Sequence, residues 1–193
     1  FMLINIIPSL KKLYFWLFNK FYEKLKFNSN KKIELKKINL VLISRTPYRF
    51  SFYGGGLDYP TWFKKHETEI LCAGLDYYCY QSVRILPKFF DFKYRLSYSV
   101  IEMVKDLNNI EHPTAREILR KYANNRSLEI SYTGDLPSKS GIGSSSAFTV
   151  GLLNLVNYFK YRKKLSKNDL SSKSINFERN VLKENVGYQD QIL

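Results

Sequence analysis

The sequence predicts a domain that mixes strands and helices, and three observations carry that expectation. Residues 45–53 alternate strictly, with Thr46, Tyr48, Phe50 and Phe52 on one side and Arg45, Pro47, Arg49 and Ser51 on the other, which is the period of a strand. Phe148, Leu152, Leu155 and Phe159 recur at steps of four, three and four, marking one face of a helix. Between a strand-like stretch at 128–133 and that helix lies Pro137-Ser138-Lys139-Ser140-Gly141-Ile142-Gly143-Ser144-Ser145-Ser146-Ala147, a glycine and serine turn.

The remaining elements follow in order. Residues 1–27 run through Leu10, Leu13, Tyr14, Leu17, Phe18, Phe21 and Leu25 at helical spacing, with Lys20, Lys24 and Lys26 interleaved. Such a basic amphipathic helix can lie peripherally on an anionic membrane surface or on a partner, or pack on its own domain. Residues 28–32 read as a polar linker, and a domain boundary is expected near residue 38, giving an extension at 1–37 and a domain at 38–193. Residues 38–43 are strand-like, 69–85 supply one or two strands, and 94–98 another. Residues 113–122 read as a helix with Pro113 in its first turn and Ile118 and Leu119 inward. Ser166 with Asp169 resembles a capping box and opens a last long helix, on which Leu170, Ser174, Phe177 and Val181 share a face up to about residue 185.

Composition narrows the class. A chain of 193 residues with 45% apolar and 16% aromatic residues can hold one folded core, or one core and an appendage. No uncharged apolar run approaches the roughly 18 residues that a membrane span needs. Two cysteines, Cys72 and Cys79, and two histidines make neither a disulfide framework nor a zinc pattern, and a reducing cytoplasm is the simplest setting. The net charge of +14 invites a basic RNA-binding reading. Half of that excess sits in residues 1–40, where nine lysines face only Glu23 and Glu34. RNA binding also gives no reason for Asp58, Glu178 and Asp190, so no nucleic-acid partner is expected.

Two loops invite chemistry. A glycine and serine turn feeding a helix N-terminus is an anion site, because the first helical amides lack partners, the dipole end is positive and glycine lets the backbone approach phosphate. It can equally be an ordinary capped loop, and it lacks the lysine of a Walker loop. Gly54, Gly55 and Gly56 run together after the first strand, which implies a positive φ or a backbone pressed close to something. That stretch reads either as a hairpin turn or as a substrate loop, with Asp58 accepting hydrogen bonds from hydroxyls.

Taken jointly, these segments resemble a known family. Pro137 to Ala147 is similar to the Pro-x-x-x-Gly-Leu-Gly-Ser-Ser-Ala signature of the GHMP kinases, with Ser146 in place of the first alanine. Thr46 to Pro60, Arg95 to Ser99, Glu111-His112-Pro113 and Gly187-Tyr188-Gln189-Asp190-Gln191 resemble the D-glycero-D-manno-heptose 7-phosphate kinase branch. The resemblance implies an α+β fold, the two-layer N-terminal domain of these kinases, similar to the second domain of ribosomal protein S5. It implies phosphoryl transfer from ATP with Mg²⁺ to the anomeric hydroxyl of a sugar phosphate, or to another sugar in a related kinase.

By that resemblance Pro137, Lys139, Gly141, Ile142, Gly143, Ser144, Ser145 and Ser146 hold the nucleotide, and Ser145 and Glu178 hold Mg²⁺. Asp190 takes the place of the catalytic carboxylate and Arg49 stabilises charge beside it. Gly54, Gly55, Gly56 and Asp58 hold the sugar. Lys139 is placed either on phosphate or in solvent. The family has a second, C-terminal lobe, and the sequence reads as an N-terminal portion without it, weakly active or inactive alone. The whole reading requires Asp190 to face the helix tip after Gly143.

Overall fold

The computed structural model describes residues 41–193, apart from Asn124 and Lys139. The amphipathic helix expected at 1–27, the linker, the boundary near residue 38 and the proposed phosphate contact of Lys139 lie outside the described residues.

Five strands form one sheet. Strand β1 (Leu42–Tyr53) pairs antiparallel with β2 (Leu71–Ile85), a single continuous strand. β3 (Tyr94–Ser97) and β4 (Ile101–Val104) form a short antiparallel pair, and β5 (Leu128–Gly134) runs antiparallel to β2 and parallel to β3. The order across the sheet is β1-β2-β5-β3-β4. Strand β4 carries no sequence signal of its own, because four residues are too few for periodicity to register.

Helices cover one face. After a short α1 (Pro60–Phe63), α2 (Pro113–Tyr122) starts with Pro113 in its first turn, and His112 Nδ1 accepts from the Ala115 amide at 3.4 Å. Helix α3 (Ser144–Tyr161) buries Phe148, Leu152, Leu155 and Phe159, as its spacing predicts. With Ile118 and Leu119 of α2 they meet Val83, Leu96, Leu128 and Ile130 of the sheet in one core. Among the described residues no helix covers the opposite sheet face, where Ile43, Ile101 and Met103 are exposed. This two-layer α+β arrangement agrees with the expected fold.

Three differences from the sequence reading matter for the site. In β1 the register shifts between Pro47 and Arg49, so Tyr48 is buried whereas Phe50 and Phe52 are exposed instead of continuing its face. Helix α4 (Lys167–Asn176) opens with the expected Ser166 cap, whose hydroxyl accepts from the Asp169 amide at 3.1 Å, but it ends before residue 185. It passes into a π turn, Phe177–Val181, closed by the Leu182 amide on the Phe177 carbonyl at 3.1 Å. Glu178, one turn after buried Ser174, is 0% exposed, while Val181, expected inward, falls within the π turn and is 41% exposed. Finally, a short helix α5 (Gln189–Ile192) forms within the Gly187 to Gln191 motif, where periodicity predicts no element.

Candidate active site

Helix α3 begins without a side-chain cap. Gly143 precedes its first residue at φ +73°, a conformation that costs other residues about 1–2 kcal/mol. Its first amides are therefore free for an anion, at the positive end of an 18-residue helix. Ser145 is exposed on this tip and Ser144 is half-buried, while Ser146 turns inward at 3% exposure.

Two strand-distant residues close over the loop. Arg49 Nε donates to Asp190 Oδ1 at 2.5 Å, Arg49 Nη1 donates to the Gly141 carbonyl at 2.5 Å, and the Arg49 amide donates to the Ile142 carbonyl at 3.1 Å. A Cβ placed on Gly143 would lie 3.3 Å from Asp190 Cγ and Oδ2 and 3.4 Å from Arg49 Cγ. The Asp190 carboxylate thus rests directly on the glycine that opens the helix, as the sequence reading requires. The pair borders a cleft of about 510 Å³ that Gly54, Gly55, Gly56 and Gly187 also line. The expected substrate loop, catalytic pair and part of the anion loop therefore share one cavity.

Two assignments change in detail. Asp58, read as a sugar ligand, is 4% exposed, and its Oδ2 accepts from the Tyr188 amide at 2.7 Å and the Gln189 amide at 2.9 Å. That oxygen caps the turn entering α5, and so holds the turn that presents Asp190. Gly187 packs on it so closely that a Cβ there would overlap the Asp58 side chain and carbonyl. Gln189 Nε2 adds a bond to the Gly55 carbonyl at 3.3 Å. Of the three glycines, Gly54 has φ +75° and Gly56 has open space around it.

The second point concerns Glu178, which lies buried beneath the loop. The resemblance implies that it shares Mg²⁺ with Ser145; the hydroxyl it meets directly is that of Ser146, which donates to Glu178 Oε2 at 3.1 Å. Burial pushes the Glu178 carboxyl above the usual glutamate range, opposed by the neighbouring Gln191, Thr149 and Ser146 side chains, of which the Thr149 hydroxyl itself donates to the Ser145 carbonyl at 3.2 Å. Its other oxygen, Oε1, is buried without a partner. An orphaned carboxylate oxygen beside serine hydroxyls is an all-oxygen donor set of the kind Mg²⁺ takes. Among the described residues no group of three or more His, Cys, Asp and Glu could hold a metal.

Sequence reasoning missed several residues. Gln191 is 5% exposed and bonds both Glu178 and Ser146; it stands inside a quoted motif, but nothing in its type marks a role. Glu102 is 8% exposed on β4 and accepts from the Glu111 amide at 2.6 Å, the His112 amide at 3.2 Å and the Tyr98 hydroxyl at 2.8 Å. It thereby ties together two motifs that the sequence presents apart. His112 stacks on Phe148 in the first turns of α3, with ring centroids 4.5 Å apart, and burial pushes its imidazole below the usual range.

Residues 103–193 match the family described as GHMP kinases N terminal domain. The matched segment makes up 91 of the 193 residues. A homoserine kinase of Staphylococcus epidermidis is 37% identical over 87 residues, which make up 44% of this chain and 28% of that protein. A D-glycero-D-manno-heptose 1-phosphate kinase from Bacteriodes thetaiotaomicron superposes with a TM-score of 0.65 at 23% identity, over 79% of this chain and 52% of that one. The Methanococcus jannaschii mevalonate kinase gives a TM-score of 0.58 at 15% identity, over 80% and 51%. The chain thus spans about half the length of these GHMP-type structures and under a third of the curated relative. The structural likeness establishes the fold of the GHMP kinase N-terminal domain; the choice of acceptor is a separate question.

Proposed function

We propose that this chain is the ATP-binding lobe of a kinase that transfers a phosphoryl group to a sugar-phosphate hydroxyl, with the anomeric hydroxyl of heptose 7-phosphate as acceptor. The observation that carries the reading is the Asp190 carboxylate, bound by Arg49 and seated on Gly143 at an uncapped helix tip. Phosphoryl transfer asks for positioning and charge stabilisation rather than covalent help from the protein. Free amides at Ser144 and Ser145 suit the phosphates of ATP. Asp190 would accept or orient the proton of the acceptor hydroxyl. Arg49 would fix that carboxylate and offset charge on the moving group. Mg²⁺, when bound, neutralises phosphate charge, and Ser145 and Glu178 are the residues we assign to hold it.

The heptose acceptor is favoured by the Thr46 to Pro60 and Gly187 to Gln191 motifs, and the fold likeness to a heptose kinase is compatible with it. The 37% identity to a homoserine kinase supports a second reading, an aliphatic hydroxyl as acceptor. We assign turnover to a two-lobed protein in which residues 41–193 form one wall of the cleft, and we expect weak activity from this chain alone. We assign no nucleic-acid partner: on the open sheet face Arg84 and Arg95 are both paired with Glu129. We place the reaction in the cytoplasm; among the described residues no helix is long and apolar enough to cross a membrane.

The test is ADP release with heptose 7-phosphate, homoserine or mevalonate as acceptor, before and after a GHMP C-terminal lobe is supplied. Preference for heptose 7-phosphate is expected. Preference for homoserine would transfer the substrate assignment, and absence of any Mg²⁺-dependent ATP binding would remove the kinase reading.

A further inference from the structure

A buried polar knot lies beneath the phosphate loop and joins three elements that are far apart in sequence. Ser146 comes from the first turn of α3, Glu178 from the π turn and Gln191 from α5; they are 3%, 0% and 5% exposed. Gln191 Nε2 donates to Glu178 Oε2 and lies 3.2 Å from Ser146 Oγ, which itself donates to Glu178 Oε2 at 3.1 Å. Both donors thus converge on one carboxylate oxygen, and Glu178 Oε1 is left buried with no partner. A buried carboxyl oxygen without a donor is costly; a proton can meet that cost in nucleotide-free protein, and a cation that displaces it would find one oxygen saturated and the other unencumbered.

We propose that Gln191 is a positioning residue for the cation of the nucleotide complex: it fixes the Glu178 carboxylate so that Oε1 stays free to meet Mg²⁺. This rests on the kinase reading above. Gln191 directly follows Asp190, so the same short helix sets the carboxylate beside the acceptor and the carboxylate beneath the phosphates. An amide is suited to the task. It donates through Nε2 without adding charge, whereas a second carboxylate would repel Glu178 and a lysine would compete with the cation. Residues that orient a metal-binding side chain typically alter metal affinity by about 10–100-fold when replaced.

The experiment uses the 193-residue chain and measures ATP binding by calorimetry, with Mg²⁺ titrated and with EDTA present. Gln191→Met keeps the length and packing of the side chain but removes the donor. The expected result is about a tenfold rise in the Mg²⁺ concentration needed for half-maximal ATP binding, with metal-free ATP binding unchanged. Ser146→Ala removes the other donor and should shift the same requirement in the same direction, so the test stands even if Gln191→Met does not fold. An unchanged Mg²⁺ requirement, or equal loss of ATP binding with and without metal, would overturn the inference. Wild-type chain that binds no ATP at all would instead overturn the kinase reading.

Discussion

The glycine and serine loop and the turn carrying Asp190 meet so closely that a Cβ on Gly143 would lie 3.3 Å from the Asp190 carboxylate, yet they are built by different means. The loop is set chiefly by its own dihedrals, with Gly141 and Gly143 both at φ +73° and no side-chain cap on the helix that follows, and Arg49 of β1 pins its Gly141 and Ile142 carbonyls. The Asp190 turn is set by side chains from elsewhere: Asp58 on its amides, Arg49 on its carboxylate and Glu178 on the residue that follows. A loop defined by local dihedrals presents amides to an anion and tolerates change around it. A turn defined by distant partners is accurate only while every partner is in place.

This contrast can be tested. Asp190→Asn keeps the turn and removes only the charge, so it should lower turnover of the lobe-completed enzyme by about 10²–10⁴-fold with ATP binding retained. A comparable loss of ATP affinity would mean that Asp190 shapes the loop. Gly187→Ala places a Cβ onto Asp58 and should cost about 3 kcal/mol in urea unfolding, at the high end for overpacking. Asp58→Ala leaves the Tyr188 and Gln189 amides without their acceptor and should cost about 2 kcal/mol. If Asp58 served only the sugar, stability would not move and only the acceptor KM would rise.

Within the loop the two glycines should separate. Gly141→Ala meets open space and pays only for its φ, about 1 kcal/mol, whereas Gly143→Ala adds crowding against Asp190 and Arg49 and should also depress turnover. Equal effects on turnover would show that the loop and the turn do not meet in solution.

The smallest effect concerns pH. Burial raises the Glu178 carboxyl in the folded state, so the folded protein keeps a proton that the unfolded chain has lost. The stability contributed by Glu178 is then full below the unfolded value of about 4.3 and is lost as pH rises through the folded value. In nucleotide-free protein, the Tm of wild type relative to Glu178→Gln should therefore fall as pH rises above about 4. Burial raises Glu184 as well, which gives wild type and variant alike a slope of the same sign, so only their difference reports Glu178.

Much of this was legible in the chain itself. Periodicity placed α2, α3 and the central strands, and the residue types of the loop placed a helix tip without deciding whether a side chain caps it, because glycine conformations and helix ends are local properties. Arg49 and Asp190, 141 positions apart, were brought together only by family resemblance. Periodicity failed at the π turn, where Val181 leaves the inner face while Glu178, one turn after buried Ser174, stays on it. It also gave no hint that Asp58 would be spent on amides.

The sequence by itself determined which segments form strands and helices and where backbone amides would stand free, since dihedral preference and hydrophobic period act over a few residues. Only the tertiary structure decided which carboxylate is capped, which is clamped and which is left with one open oxygen. Those outcomes depend on hydrogen-bond partners contributed by strands and turns more than thirty residues away, and no local rule specifies them.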